Sequence, residues 1–310
     1  MASSPRPRGV RVPAAMVLAA TLVGLTACSP TTGVNPVSSE PTTTSTSTAT
    51  PFPSNYVAMG DSYTAAPLFP LVEETEIDAC LNSDLNYPSL VARSLEMSVT
   101  DVSCSGASTV SMFYEQKFTS ESRPPQLDAL SSDTDLVTLG IGANDSNFFA
   151  KMIFTCLRLA ERDPAGAPCR ERNLNSKGKD KLERQLIEIE RNVARVVRSI
   201  GKRAPNARIF LVGYPQLLPS EGTCRAKLPL ARGDYVYTRD LNLRLADSVR
   251  DGGVRAGAEY VDLVAASQGH DICSHEPWVA GVRGDPKRAM GLHPYPAEQR
   301  AVADLIIAML

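Results

Sequence analysis

The sequence predicts a single α/β domain of three layers, with helices on both faces of a central, mostly parallel β-sheet. Three observations lead there. From Asn55 onward, short apolar runs rich in β-formers alternate with helical stretches. Strand–helix alternation implies parallel strands joined by covering helices. The strongest helical pattern falls between two of the apolar runs, and no internal repeat divides the remaining length of about 255 residues.

Taken in order, Tyr56–Met59 reads as a buried strand, and Val99–Val102 as a second short apolar run. Asp135–Ile141, Arg208–Val212 and Glu259–Leu263 follow, each bounded by Gly, Asp or Pro. Leu182, Leu186, Ile189, Val193, Val197 and Ile200 recur at spacings of three and four among Lys, Arg and Glu, which predicts an amphipathic helix. It ends near Gly201, and Pro205 prevents its continuation. Ala297–Leu310 reads as a closing helix. Two irregular stretches interrupt the pattern. Phe154–Lys179 is polar and carries a cysteine pair, and Gly213–Asp234 contains Cys224. Loops this long in a compact domain usually shape a binding site.

The residues before the domain have a different character. Arg6, Arg8 and Arg11 precede an uncharged run from Val12 to Ala27, which reads as an export signal closing on Leu25-Thr26-Ala27-Cys28. This ending is similar to a bacterial lipobox, in which the cysteine is lipidated and becomes the new N-terminus. The alternative is an ordinary secretory signal followed by an incidental Cys28. Between Ser29 and Pro53, 18 of 25 residues are Ser, Thr or Pro, a composition that stays extended and suits a spacer. The expected organisation is therefore a signal over residues 1–28, a linker over 29–53 and a folded domain over 54–310.

Composition narrows the function. Lys plus Arg total 32 against 34 for Asp plus Glu, a formal charge of -2, so there is no basic field for nucleic acid. Loss of the signal removes three arginines and no acid, shifting that charge to -5. No apolar run approaches the roughly 20 residues of a membrane-spanning helix. Setting Cys28 aside leaves Cys80, Cys104, Cys156, Cys169, Cys224 and Cys273. An even number in an exported chain argues for three disulfides of undetermined connectivity, whereas a metal site lacks any C-x-x-C pair.

Candidate chemistry begins directly after the first strand, at Gly60-Asp61-Ser62-Tyr63. A serine at a strand-to-helix turn on the carboxyl edge of a parallel sheet can act as a nucleophile beside free helix N–H groups. By itself the tripeptide equally suits a helix N-cap. Ser105-Gly106-Ala107-Ser108-Thr109 follows the second run, Gly142-Ala143-Asn144-Asp145 follows the third, and His293-Pro294 precedes the closing helix. Alone, Asn144 would pass for a turn residue.

Together and in this order, the four segments resemble the conserved blocks of the SGNH (GDSL-type) hydrolases, over Tyr56 to Leu310. The GDSY start, six cysteines and late His-Pro look most like that family's secreted actinobacterial esterases and lipases. The resemblance implies a flavodoxin-like three-layer fold, with Ser62 as nucleophile and His293 as general base. It places the oxyanion on the Ser62 and Gly106 N–H groups and the Asn144 side-chain amide. It also implies neighbour pairing of the cysteines, as Cys80–Cys104, Cys156–Cys169 and Cys224–Cys273.

One position departs from the family pattern. Most members carry an acid three residues before the histidine, and here that residue is Met290. Some of the actinobacterial branch use a main-chain carbonyl there, so the Met290 carbonyl is the expected partner of the His293 ring, with the Asp285 carboxylate as alternative. His270 and His275 flank Cys273 and are expected at the surface rather than on a metal. Trp278, the only tryptophan, either lines the acyl pocket or packs in the interior.

The resulting expectation is an extracytoplasmic serine esterase or lipase acting on small-molecule or lipid esters. It would be anchored to a membrane through Cys28 and would act as a monomer without cofactor or metal. A cell-wall or polysaccharide O-deacetylase would use the same residues. A non-catalytic binding lipoprotein would explain the missing acid, but not the joint presence of Ser62, Gly106, Asn144 and His293. The apolar run Ala65–Val72 favours acyl chains.

Overall fold

The computed structural model describes residues 53–67 and 79–310. The expected signal, Cys28, nearly all of the spacer and most of Ala65–Val72 lie outside the described residues.

Five parallel strands form the central sheet: β1 (Tyr56–Gly60), β2 (Val99–Asp101), β3 (Leu136–Gly140), β4 (Arg208–Val212) and β5 (Glu259–Val261), in the order β2-β1-β3-β4-β5. Period-two alternation divides their side chains between two cores. Tyr56, Ala58, Leu136, Phe210 and Val212 meet α2 (Tyr87–Ser94) and α5 (Pro296–Met309) on one face. Val57, Met59, Val137, Leu139 and Leu211 meet α3 (Lys181–Arg203) and α4 (Asp234–Arg255) on the other. Both faces are covered, as a parallel sheet requires. The expected three-layer fold and strand positions hold, with shifts of a residue or two at their ends.

Helix α4 was not anticipated from sequence. Its last turns contain Gly252 and Gly253, which weaken any helical reading. Tertiary contact requires both glycines. A Cβ at Gly252 would lie 2.3 Å from the Glu190 carbonyl oxygen of α3, and one at Gly253 would lie 2.0 Å from Leu211 Cδ2 on β4. The local cost is offset by close helix–helix and helix–sheet packing.

The topology fixes where a site can form. From β1 the chain goes outward through α2 to β2, then crosses back to β3 on the other side of β1. Between the carboxyl ends of β1 and β3 the connections diverge and leave a crevice, the usual ligand position in such sheets. Gly60 closes β1 at that crevice. The Gln126 side chain brackets it, its Oε1 accepting from Gly60 N–H at 2.7 Å and its Nε2 donating to the Gly60 carbonyl at 2.9 Å. Gly60 has φ +154°, and a Cβ would sit 2.2 Å from Thr64 Oγ1 and 2.6 Å from the Gly140 carbonyl oxygen. We therefore expect Gly60→Ala to cost about 3 kcal/mol or more, the scale of overpacked or strained core sites. Urea unfolding measures it, and a midpoint within error of the parent would contradict this account of the turn.

Candidate active site

Short helix α1 (Ser62–Ala65) starts immediately after β1. Asp61 caps it, its Oδ1 accepting from Tyr63 N–H at 2.9 Å. Because a helix N-terminus leaves N–H groups without intrahelical partners, Ser62 occupies a position with donors to spare. The other end of the chain supplies the histidine. His293 Nε2 lies 2.9 Å from Ser62 Oγ, across 231 residues of sequence.

The ring's second nitrogen corrects one expectation. His293 Nδ1 faces the Gly291 carbonyl oxygen at 2.8 Å, not that of Met290. The Met290 carbonyl instead accepts the His293 backbone N–H at 3.1 Å, within a turn that puts Leu292 at φ +63°. That left-handed residue redirects the chain, so the carbonyl two residues back reaches the ring. The Asp285 carboxylate does not reach it either. It accepts from Lys287 N–H at 3.0 Å and lies 3.8 Å from Arg288 Nη1. With a neutral carbonyl as acceptor, Nδ1 carries the proton and Nε2 is left free to accept from serine. Burial holds the imidazole below its ordinary value, partly offset by the Gly291 carbonyl.

The other two blocks arrive at the same cavity. A space of about 250 Å³ is lined by Ser62, Gly106, Asn144 and His293, with Leu81, Phe149, Phe154 and Met290 as its apolar wall. Among the described residues, the Ser62 and Gly106 N–H groups have no protein acceptor. Gly106 adopts φ +79°, a region that favours glycine. The Asn144 amide is anchored by donating to the Ala107 carbonyl at 2.9 Å, and its other amide hydrogen remains available.

Several residues that hold this arrangement were not singled out from sequence. The Tyr63 hydroxyl donates to the Leu292 carbonyl at 2.8 Å, tying Ser62's neighbour to the histidine turn. Asp145 accepts from Thr109 N–H at 2.8 Å, Thr109 Oγ1 at 2.6 Å and Asn192 Nδ2 at 3.0 Å, joining the Gly106 and Asn144 blocks to α3. The Tyr214 hydroxyl donates to Asp61 at 2.5 Å and accepts from Ala143 N–H at 3.0 Å. Burial pushes the Asp61 carboxyl up to about 7, against the opposing hydrogen bonds from Tyr214 and Tyr63.

The three disulfides join Cys80–Cys104, Cys156–Cys169 and Cys224–Cys273, the pairing the resemblance implied. Trp278 is absent from the cavity wall. It stacks on His270 with ring centroids 4.8 Å apart, and its backbone carbonyl accepts Tyr295 N–H at 2.7 Å. Its segment thus straps the histidine loop, as does Ala280 N–H on the His293 carbonyl at 3.0 Å. Among the described residues, no group of three His, Cys, Asp or Glu side chains could hold a metal.

Residues 58–301 match the model of the GDSL-like lipase/acylhydrolase family. The chain belongs to that family. A lipase from Streptomyces coelicolor, Lipase 2, is 38% identical over 225 residues, covering 71% of this chain and 72% of its own. An esterase from Streptomyces scabiei is 32% identical over 250 residues, covering 70% and 72%. Among solved structures, phospholipase A1 from Streptomyces albidoflavus superposes with a TM-score of 0.67 at 26% identity, covering 83% of this chain and 100% of that one. The protein is therefore a carboxylic ester hydrolase of the SGNH fold.

The lowered imidazole value sets a pH expectation. If His293 is the base, it must be neutral to accept the serine proton, and activity falls as it protonates. The acid limb of kcat/KM should lie below pH 6.5, histidine's ordinary value, and should persist in Asp61→Asn, which keeps an N-cap. A limb at or above pH 6.5, or one that disappears in Asp61→Asn, would contradict the assignment of the base.

Proposed function

We propose that this chain is an exported, lipid-anchored serine esterase or lipase acting through a Ser62–His293 acyl-enzyme. The observation that carries the reading is the chain of contacts from Ser62 Oγ through the His293 ring to the Gly291 carbonyl, at 2.9 and 2.8 Å. As Oγ attacks the ester carbonyl carbon, Nε2 takes its proton, and the carbonyl π electrons move onto the oxygen. That oxyanion is received by the Ser62 and Gly106 N–H groups and the Asn144 amide, each such donor being worth about 3 kcal/mol in transition-state stabilisation. The carbonyl re-forms as the C–O bond to the alcohol breaks, and the departing alkoxide takes the proton back from Nε2. Water, deprotonated by the same nitrogen, then releases the acid and restores Ser62.

The anchor and compartment rest on the N-terminal residues. Arg6, Arg8 and Arg11, the uncharged run to Ala27, the Cys28 lipobox and the Ser/Thr/Pro spacer together suit a tethered extracytoplasmic enzyme. Three disulfides suit an oxidising compartment. No described helix is long and apolar enough to cross a membrane. The apolar wall of Leu81, Phe149, Phe154 and Met290 favours an acyl chain over the acetyl group of a polysaccharide. A lipid ester is the substrate class most consistent with that wall and with the lipases among its relatives.

Hydrolysis of p-nitrophenyl esters from acetyl to palmitoyl tests the mechanism. The enzyme should turn over at least part of the series, and Ser62→Ala should lose at least about 10³-fold in kcat, in line with removal of other serine nucleophiles. Retained activity in Ser62→Ala, with the protein folded as judged by its melting curve, would refute the nucleophile.

A further inference from the structure

The segment leading away from the Asn144 block has an unusual backbone. Ser146 and Asn147 are consecutive non-glycine residues at positive φ, 51° and 55°. Lys151–Thr155 then forms a π-turn inside an otherwise helical run. Strained and widened turns of this kind gather at functional sites. The widening has a definite consequence here. In a regular α-helix, residues five apart point about 140° away from each other. The π-turn instead brings the rings of Phe149 and Phe154 to 6.2 Å, edge to face.

Both rings line the nucleophile's cavity, but Phe154 also lines a second space. Beyond it lies an open groove of about 470 Å³ bounded by Ala150, Lys151, Phe154, Leu157 and Arg158. Phe154 is thus a shared wall, and it is 48% exposed, a large aromatic left in water at the mouth of an ester-binding cavity. Burial of such a ring would be favourable, and its edge-to-face contact with Phe149 leaves about half of it uncovered. Ala150, Leu157 and the stems of Lys151 and Arg158 give the groove an aliphatic strip, the charged ends staying in water, while Asn147, Thr155 and Glu161 complete its wall.

We propose that the groove beyond Phe154 is a distal acyl subsite. The first carbons of a long acyl chain fill the inner cavity, and the remainder passes over Phe154 into the outer groove. Phe154 is then the residue that sets chain-length preference, through the ring that separates the two spaces. The inference rests on the esterase reading and deepens it by naming where a long chain lies. Continuity through one shared ring is what selects an acyl chain as the groove's occupant.

The test compares kcat/KM for p-nitrophenyl palmitate and butyrate in the full-length protein, in Phe154→Ala and in Ala150→Phe. Removing the dividing ring should raise the palmitate-to-butyrate ratio, and filling the groove at Ala150 should lower it. Each shift should be about ten-fold, the effect of a single methylene in a hydrophobic pocket. A ratio that stays within two-fold of the parent in both variants overturns the subsite. Opposite shifts, with Ala150→Phe favouring palmitate, overturn it as well. Butyrate turnover by the unsubstituted enzyme reports separately on the esterase reading, since a short chain never reaches the groove. Phe154 is exposed and Ala150 half-buried, and melting curves check that both variants are folded.

Discussion

The hydrogen bond between His293 Nε2 and Ser62 Oγ is the contact on which the functional architecture depends. Its two partners come from opposite ends of the domain, the turn after the first strand and the turn before the last helix. Ser62 opens a helix of only four residues, and the histidine turn is irregular, so each must be fixed by something else. Gln126 brackets the Gly60 backbone, Asp61 caps α1, and the Tyr63 hydroxyl reaches the Leu292 carbonyl. From the closing helix, Gln299 donates to the Tyr63 carbonyl at 3.0 Å and accepts from Tyr87 N–H at 2.7 Å. The first and last elements are thereby locked together through Tyr63, and a short serine–histidine contact follows from that lock.

A carbonyl in place of a carboxylate behind the histidine suits the surroundings. The region is dry: burial pushes Asp61 up to about 7 and Glu298, on the closing helix, up to about 8. Another ionised carboxylate here would bear a large desolvation cost. The Gly291 carbonyl fixes the tautomer without adding charge, while supporting a developing imidazolium less strongly than an acid would. An imidazole whose affinity for protons is lowered by burial, and partly restored by a carbonyl, keeps its neutral form over a wider pH range, at some loss of basic strength.

The sheet and the four chemical blocks were legible because three blocks sit where a β-rich run ends and the fourth just before the closing helix, and these signals are local. What was not legible depends on contacts distant in sequence. Helix α4 is obscured by Gly252 and Gly253, whose reason lies in Glu190 and Leu211. Asp145 carries no role in a local reading of the sequence, yet it binds Thr109 and Asn192, 36 and 47 residues away. The carbonyl behind His293 was placed one residue too early because counting along the chain cannot see the left-handed Leu292. Trp278 was offered either as pocket wall or as interior packing, and the structure gives neither: it is half-buried and stacks on His270. Spacing alone does not encode the π-turn that pairs Phe149 with Phe154.

The account stands most directly on whether Ser62 is a nucleophile activated by His293. Reaction with a fluorophosphonate, followed by peptide mass spectrometry, measures both at once. The account predicts one stoichiometric adduct, on Ser62, formed at a rate that falls at least about 10³-fold in His293→Ala. An adduct on another residue, or labelling of Ser62 at the parent rate without His293, would contradict it.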